Sequence, residues 1–385
     1  VAKNKFGSKG MQYLEKKVSE REESDPLELT TAFLYQKGFI QPAKNEFSNE
    51  KNVWKFGNLG ERMILNLISS WETSTSKKLS NIRYIEENEN KSGTECIIEM
   101  FDIEKKTVPF GFSRVTSSTS HDFNSEIFKF RSSDNKKLSL EYTTIPSTSN
   151  DMLISWMDFI IEFFNKVGLN TDDLEVEYQK LEDHPEAEHY FFERYSIKNI
   201  YHFGVEEIAT VSNKIDFEFE NYDKRFPDDK KQKCFVHDDF RNTDGFPHII
   251  EILIDVNKFI LAVLLNNYHQ ERVRTSIVTS LKLSPQLAPI TCAVFPLSNI
   301  DKNVLAASEK IYNSFSNAFE TIQDEKGTLE MRIIQYNELG IPFYVAVDRH
   351  LVDDQLYILF DNKFGTKAEL SEDEIADYIC SKKDE

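Results

Sequence analysis

Pro247 to Tyr268, reading PHIIEILIDVNKFILAVLLNNY, constrains the fold more than any other stretch of this chain. It begins as an apolar run and continues as a helix. Leu261, Leu264, Leu265 and Tyr268 recur at helical spacing, which leaves Asn266 and Asn267 for the polar side. Glu251, Asp255 and Lys258 stand at the changeover. A strand that passes into a helix beside a few charges is a common place for a ligand pocket, so these three residues are the first candidates for a site.

The chain has 385 residues, enough for two or three domains with a sizeable core. With 40% hydrophobic and 29% charged residues it reads as soluble and globular. Its net charge is −19. A surface of that sign repels phosphate backbones, so direct nucleic-acid binding is disfavoured. No run reaches the roughly 18 apolar residues that a membrane-spanning helix needs. Cys96, Cys234, Cys292 and Cys380 lie far apart and form no CxxC pair. Neither a structural zinc site nor a disulfide framework is expected, and a reducing compartment fits best. No cofactor motif is found. The opening VAKNKFGSKG is basic with no acid and starts at Val1, which is compatible with the end of a cleaved organelle presequence. A mitochondrial location is therefore expected, with the cytoplasm as the alternative.

Along the chain, residues 1–26 read as a charged tail. Leu27–Pro42 reads as a helix closed at Gly38 and then an extended piece. Met63, Leu67 and Trp71 form the apolar stripe of the next helix. Polar loops are expected over Thr73–Asn81, Thr116–Ser125 and Pro146–Asp151, and strands at ECIIEMFDI and KLSLEYTTI. MLISWMDFIIEFFNKVG is a helix capped by Gly168. A new unit starts near Ser284. APITCAVFPL, IPFYVAVDR and DQLYILFD read as strands, and NVLAASEKIYNSF and SEDEIADYIC as helices. That alternation predicts a small α/β domain over 284–385.

Together these pieces resemble the glycyl-tRNA synthetases, which are class II aminoacyl-tRNA synthetases. YQKGFIQP and VWKFGNLGERMILNLISSW are similar to the family's N-terminal helix and dimer-forming first motif. PFGFSRV resembles the strand entering the second motif, and PHIIEILIDVNKFILAVLL sits on the third. LSPQLAPITCAVFPLS and NELGIPFYVAVD resemble the anticodon-binding domain. The implied fold is an α+β class II synthetase-like core over 27–283, an antiparallel sheet flanked by helices, followed by an α/β anticodon-binding-like domain.

The resemblance also locates departures. Activation in that family builds negative charge on the ATP α-phosphate, which arginines stabilise because the guanidinium fork binds phosphate oxygens bidentately. An ungapped match puts Ser120 at the second-motif Arg and Asp122 at its Glu. In the third motif Glu251 is kept, Leu253 stands for Ser, Asp255 for Gly, Asn257 for Asp and Lys258 for Arg. Asp255 sets a negative charge where the triphosphate is expected, and two like charges about 4 Å apart cost roughly 4 kcal/mol at a surface-type dielectric. In GVEEIATVSNKIDF, Glu207, Asn213 and Asp216 fit the family, while Ala209 stands for a Glu and Lys214 for an Arg. The remnant pocket is thus Glu207, Asn213, Asp216, Glu251 and Lys258. Glu251 and Lys258 also read simply as an ion pair at the strand–helix junction, and His189–Tyr190 as a structural pair. LEDHPEAEH reads as a solvated turn rather than a metal cluster.

These losses lead to the expectation of a pseudoenzyme, a structural or accessory subunit of a larger mitochondrial assembly, respiratory-chain or ribosomal, whose partners are other protein subunits. Two alternatives stand beside it. One is an accessory, processivity-type subunit of the mitochondrial DNA polymerase, and the other is a divergent but active glycine–tRNA ligase. Residues 53–71 are a candidate homodimer face. From Leu281 onward there are 10 basic and 18 acidic residues, a balance that suits protein contact better than RNA reading.

Overall fold

The structure is a computed structural model that describes residues 26–42, 53–79, 81–85, 93–103, 107–118, 131–132, 135–183, 191–201, 204–219, 234–273 and 276–384. Helix α1 (Pro26–Lys37) ends at Gly38. The glycine's φ of 83° is left-handed, a conformation that side-chain-bearing residues adopt only at a cost. The chain reverses there into β1 (Ile40–Pro42), which pairs antiparallel with β2 (Val53–Phe56).

Helix α2 (Asn58–Lys78) buries the expected stripe of Met63, Leu67 and Trp71 and then continues for nearly two more turns. Most of Thr73–Asn81 is therefore helix rather than loop. The hydroxyls do not break it because they bond back to its own carbonyls: Thr75 Oγ1 donates to the Trp71 carbonyl at 2.7 Å and Thr73 Oγ1 to that of Ser69 at 2.9 Å.

After β3 (Ile82–Tyr84), the segment expected as a strand at ECIIEMFDI is helix α3 (Gly93–Ile103). Cys96, Ile97, Met100 and Phe101 lie on one helical face and pack on Phe110 and Phe112. A short apolar run without alternation fits either element, and here packing decided.

The next elements are β4 (Phe110–Ser118), β5 (Arg131–Ser132), β6 (Asn135–Thr144) and α4 (Ser149–Lys166), which is closed by Gly168 at φ 92°. They are followed by β7 (Leu174–Lys180), β8 (Glu193–Tyr201) and β9 (Gly204–Asn213). A hairpin of β10 (Val236–Asp238) and β11 (Thr243–Gly245) leads into β12 (His248–Asp255) and α5 (Val256–Asn266), and a second hairpin of β13 (Tyr268–Val273) and β14 (Ser276–Leu281) follows.

Seven strands form the core sheet in the order β3-β4-β6-β12-β9-β8-β7. Every neighbouring pair is antiparallel except β3 and β4. One face carries Leu138, Leu140, Tyr142, Ile250, Ile252, Ile254 and Val211 and is covered by α2, α4 and α5 in one large apolar cluster. The other face is mostly polar, and α3 covers only its β4 side.

Residues from 292 onward build a second sheet. Its strands are β15 (Cys292–Pro296), β16 (Thr321–Gln323), β17 (Phe343–Val347), β18 (Leu356–Asp361) and β19 (Thr366–Ser371), in the order β16-β15-β17-β18-β19. The first three of that order are parallel and the remainder antiparallel. Its helices are α6 (Lys302–Ser316), α7 (Leu329–Asn337), the short α8 (Arg349–Val352) and α9 (Glu372–Asp384). Ser371 and Glu374 close the start of α9 reciprocally. The Ser371 amide donates to Glu374 Oε2 at 2.8 Å and the Glu374 amide to Ser371 Oγ at 3.4 Å. The architecture is thus an antiparallel-dominated sheet flanked by helices, followed by an α/β unit. Side-chain and backbone bonds tie the two together: Asn66 Nδ2 to the Ala288 carbonyl at 2.9 Å, Lys166 Nζ to the Asp384 carbonyl at 2.7 Å, and ion pairs Lys37–Glu338 and Arg62–Glu320.

Candidate functional site

Register across an antiparallel sheet places directly opposed residues on the same face. Following it from β4 to β7 gives two rows on the polar face of the core sheet. The first is Phe112, Glu141, Glu251, Ser212, Arg194 and Gln179; the second is Arg114, Ser139, Leu253, Thr210, Ser196 and Glu177. Glu141 and Glu251 therefore stand side by side on β6 and β12. Two like charges at the roughly 5 Å of a cross-strand pair repel by about 3 kcal/mol at an effective dielectric near 20.

The surroundings offset part of that repulsion. Lys214, just past β9, bonds Glu251 Oε1 at 2.7 Å and Glu218 Oε1 at 3.2 Å. Arg114 reaches Glu141 Oε1 at 3.5 Å. Burial alone would depress the Lys214 ammonium, but Glu251, Glu141 and Glu218 together hold it above the usual lysine range. Glu141 is only 5% exposed. Burial, then the charge of Glu251, pushes its carboxyl up to about 7 despite Lys214 and Arg114. Its carboxylate lies against the backbone of Gly93 at the start of α3, where a side chain on that residue would collide with it.

Further along the same face, Arg194 bonds Glu207 Oε2 at 2.6 Å, and Ser196 Oγ donates to the same oxygen at 2.5 Å. Chemically, the face offers paired acids suited to a small ammonium group, guanidinium groups suited to phosphate or carboxylate, and hydroxyls between them.

The candidate residues from sequence are distributed as follows. Glu251 lies in the centre of the first row and Glu207 beside Arg194. Asn213 is on the helix-packed face, where its Nδ2 donates to Ser149 Oγ and to Asn150 Oδ1, both at 3.3 Å. Ala209 is in the apolar cluster on that same face. Asp216 is near His248, whose proton affinity it raises against the larger effect of burial. Lys258 pairs with Glu206 at 3.1 Å, not with Glu251, so the junction holds two separate ion pairs rather than one. Asp255 caps α5 by accepting the Lys258 amide at 3.0 Å; burial raises its carboxyl pKa against the backbone and lysine partners that lower it. Asn257 is buried in the first turn of α5, and its Oδ1 accepts the Lys136 amide at 3.4 Å. Leu253 faces the open side between Ser139 and Thr210. Ser120, Asp122, His189 and Tyr190 lie outside the described residues.

Glu141, Arg114 and Arg194 did not come from the sequence motifs. A signal for Glu141 was present, since Leu138, Leu140 and Tyr142 alternate and put Ser139, Glu141 and Thr143 on the opposite face. Among the described residues no group of three or more His, Cys, Asp or Glu is placed to hold a metal ion, and no helix is long and apolar enough to cross a membrane.

No protein-family model matches the chain. Glycine–tRNA ligases do. That of Agathobacter rectalis is 25% identical over 284 residues, that of Caldanaerobacter subterraneus subsp. tengcongensis 26% over 278, and that of Clostridium acetobutylicum 25% over 283. Each match takes in 72% of this chain and 58% of the relative, so the chain spans little more than half the length of these curated relatives. In structure, Giardia lamblia prolyl-tRNA synthetase in complex with prolyl-adenylate superposes with a TM-score of 0.62 at 13% identity, covering 93% of this chain and 79% of that one.

These relatives overturn the expectation of a pseudoenzyme acting as a structural subunit of a mitochondrial assembly, because the curated proteins it resembles are ligases by name. That expectation weighed cations only at the positions of the family's arginines, whereas the sheet brings Arg114, within PFGFSRV itself, and Arg194 onto one face. By sequence and by fold, this chain is a class II aminoacyl-tRNA synthetase-like protein.

Proposed function

We propose that the polar face of the core sheet is an amino-acid-activating site of the glycine–tRNA ligase type. The observation that carries this reading is the pair of buried Glu141 and partly buried Glu251, opposed across two strands with an ammonium, that of Lys214, already bonded to one of them. A carboxylate pair that holds one ammonium in a nearly dry site suits the α-amino group of a small amino acid, with its three N–H donors. In this reading glycine is favoured over larger amino acids, since Phe112 and Leu253 stand in the same two rows and the Gly93 backbone lies against Glu141.

In this reading the acids fix the amine, and the amino acid's carboxylate attacks the α-phosphate of ATP to give the aminoacyl-adenylate and pyrophosphate. Charge that develops on the phosphate falls to the guanidinium groups of Arg114 and Arg194 on the same two rows, each released in part from its glutamate partner. The ligase names of the sequence relatives support the assignment. It is tested by pyrophosphate exchange into ATP with the purified chain. Exchange that depends on glycine, and is much weaker with alanine or serine, is the expected result; exchange unaffected by glycine would remove the proposal.

A further inference from the structure

The acid cluster has an unbalanced charge. Among the described residues, Glu141, Glu251 and Glu218 supply three carboxylates, and Lys214 and Arg114 supply two cations. Groups act on Glu141 from each element around it: Glu251 on β12, Lys214 and Glu218 beyond β9, and Arg114 on β4. Helix α3 adds the Gly93 backbone, with Glu95 and Cys96 in the same first turn. Lys214 is committed to Glu251 and Glu218, and Arg114 reaches only one oxygen of Glu141 at 3.5 Å. Among the described residues, Glu141 is therefore the carboxylate with the weaker cation contact. Its carboxylate already lies against the Gly93 backbone at the start of α3.

We propose that a ligand's ammonium group enters this cleft in exchange for a proton on Glu141, so that each ligand bound releases a proton. The inference rests on the amino-acid-site reading above and adds the linkage between binding and pH. In the empty cleft one proton neutralises the surplus carboxylate. In the occupied cleft the ligand's own charge does so, and the proton leaves to solvent. The raised proton affinity of Glu141, which puts its titration at about 7, makes the exchange fall within the neutral range. The sign follows: below that point the ligand must displace a proton, and affinity drops by up to tenfold for each pH step of about one. Above it Glu141 is already ionised, and affinity levels off until the ligand amine itself loses its proton.

The test is titration calorimetry with glycine and, separately, methylammonium, each in buffers of contrasting ionisation enthalpy. The expected result is release of about half a proton per ligand at Glu141's titration point, approaching one about a pH unit below it and fading to none on the alkaline side. Glu141→Gln removes the release and flattens the pH dependence. Glu218→Gln takes away a like charge and moves the same profile to lower pH, which separates loss of linkage from loss of fold. Binding with no buffer dependence in the unaltered protein would overturn the exchange while leaving the amine site standing; that outcome means the ligand displaces the Lys214 ammonium instead. If neither compound binds, the amine-site reading fails as well.

Discussion

The two sheets of this protein solve the problem of burial differently. In the second sheet both faces are apolar. Strands β15 and β17 are buried at every residue, with Val294, Val345 and Leu359 in one cluster and Phe295, Ala293 and Tyr344 in another on the opposite side. In the core sheet only the helix-packed face is apolar, and the other holds Glu141, Glu251, Lys214, Arg114, Arg194 and Glu207 at partial or full burial. A two-sided apolar sheet is a scaffold, and whatever it binds must meet its loops and edges. A sheet that keeps a row of largely buried charges carries desolvation that packing does not relieve, and such places are where ligands are recognised.

Three substitutions sharpen or break that contrast, taken from the largest effect downward. Phe295→Ala opens a hole where the ring lies 5.5 Å from both Tyr336 and Tyr344 and under the Arg332 guanidinium at 5.2 Å. Urea unfolding should report a loss of about 3–5 kcal/mol with little dependence on pH. A small loss would mean the second sheet is not the rigid partner.

Lys214→Met leaves Glu251 and Glu218 without their shared cation. The expected loss is about 3 kcal/mol at alkaline pH, since breaking a buried pair strands a charge. The same loss should shrink in acid. Glu141 already holds its proton more tightly when folded than its ordinary value of 4.5 allows, so its contribution to stability falls as pH rises from there toward 7; without Lys214 its neighbours join it in taking up protons. A pH-independent loss would place Lys214 with the packing residues rather than with the charges.

Asp255→Ala removes the cap of α5 at a cost of about 1 kcal/mol or less, because the buried carboxylate's desolvation offsets part of the bond to the Lys258 amide. Thermal melting checks it. A much larger loss would show that this carboxylate also anchors the charged face.

The same contrast explains what was legible in the sequence. Apolar periodicity located α2, α4, β12, α5 and three of the second sheet's five strands, because burial on a fixed face leaves a repeat in the chain. On the core's charged face the alternation within β6 was legible, but no repeat ties the charges of one strand to those of the next. Arg114, Glu141, Glu251, Ser212 and Arg194 come from five strands, and only strand register brings them together. Motif matching read Asp255 as facing a triphosphate. Its side chain instead serves the helix that begins at the next residue, a local hydrogen bond that a comparison of letters does not contain. ECIIEMFDI failed for a different reason: its apolar pairs suggest a strand, yet Glu95, Glu99 and Asp102 stand at i, i+4 and i+7, a helical spacing that the packing on Phe110 and Phe112 follows.

Gly93 also sets a limit. Its backbone lies against the Glu141 carboxylate, which a side chain at that position would displace. On the reading proposed above, a ligand amine at Glu141 and Glu251 has Ser212 and then Arg194 as the next positions of the same row. The room the acid has beside α3 is thus set by a residue with no side chain.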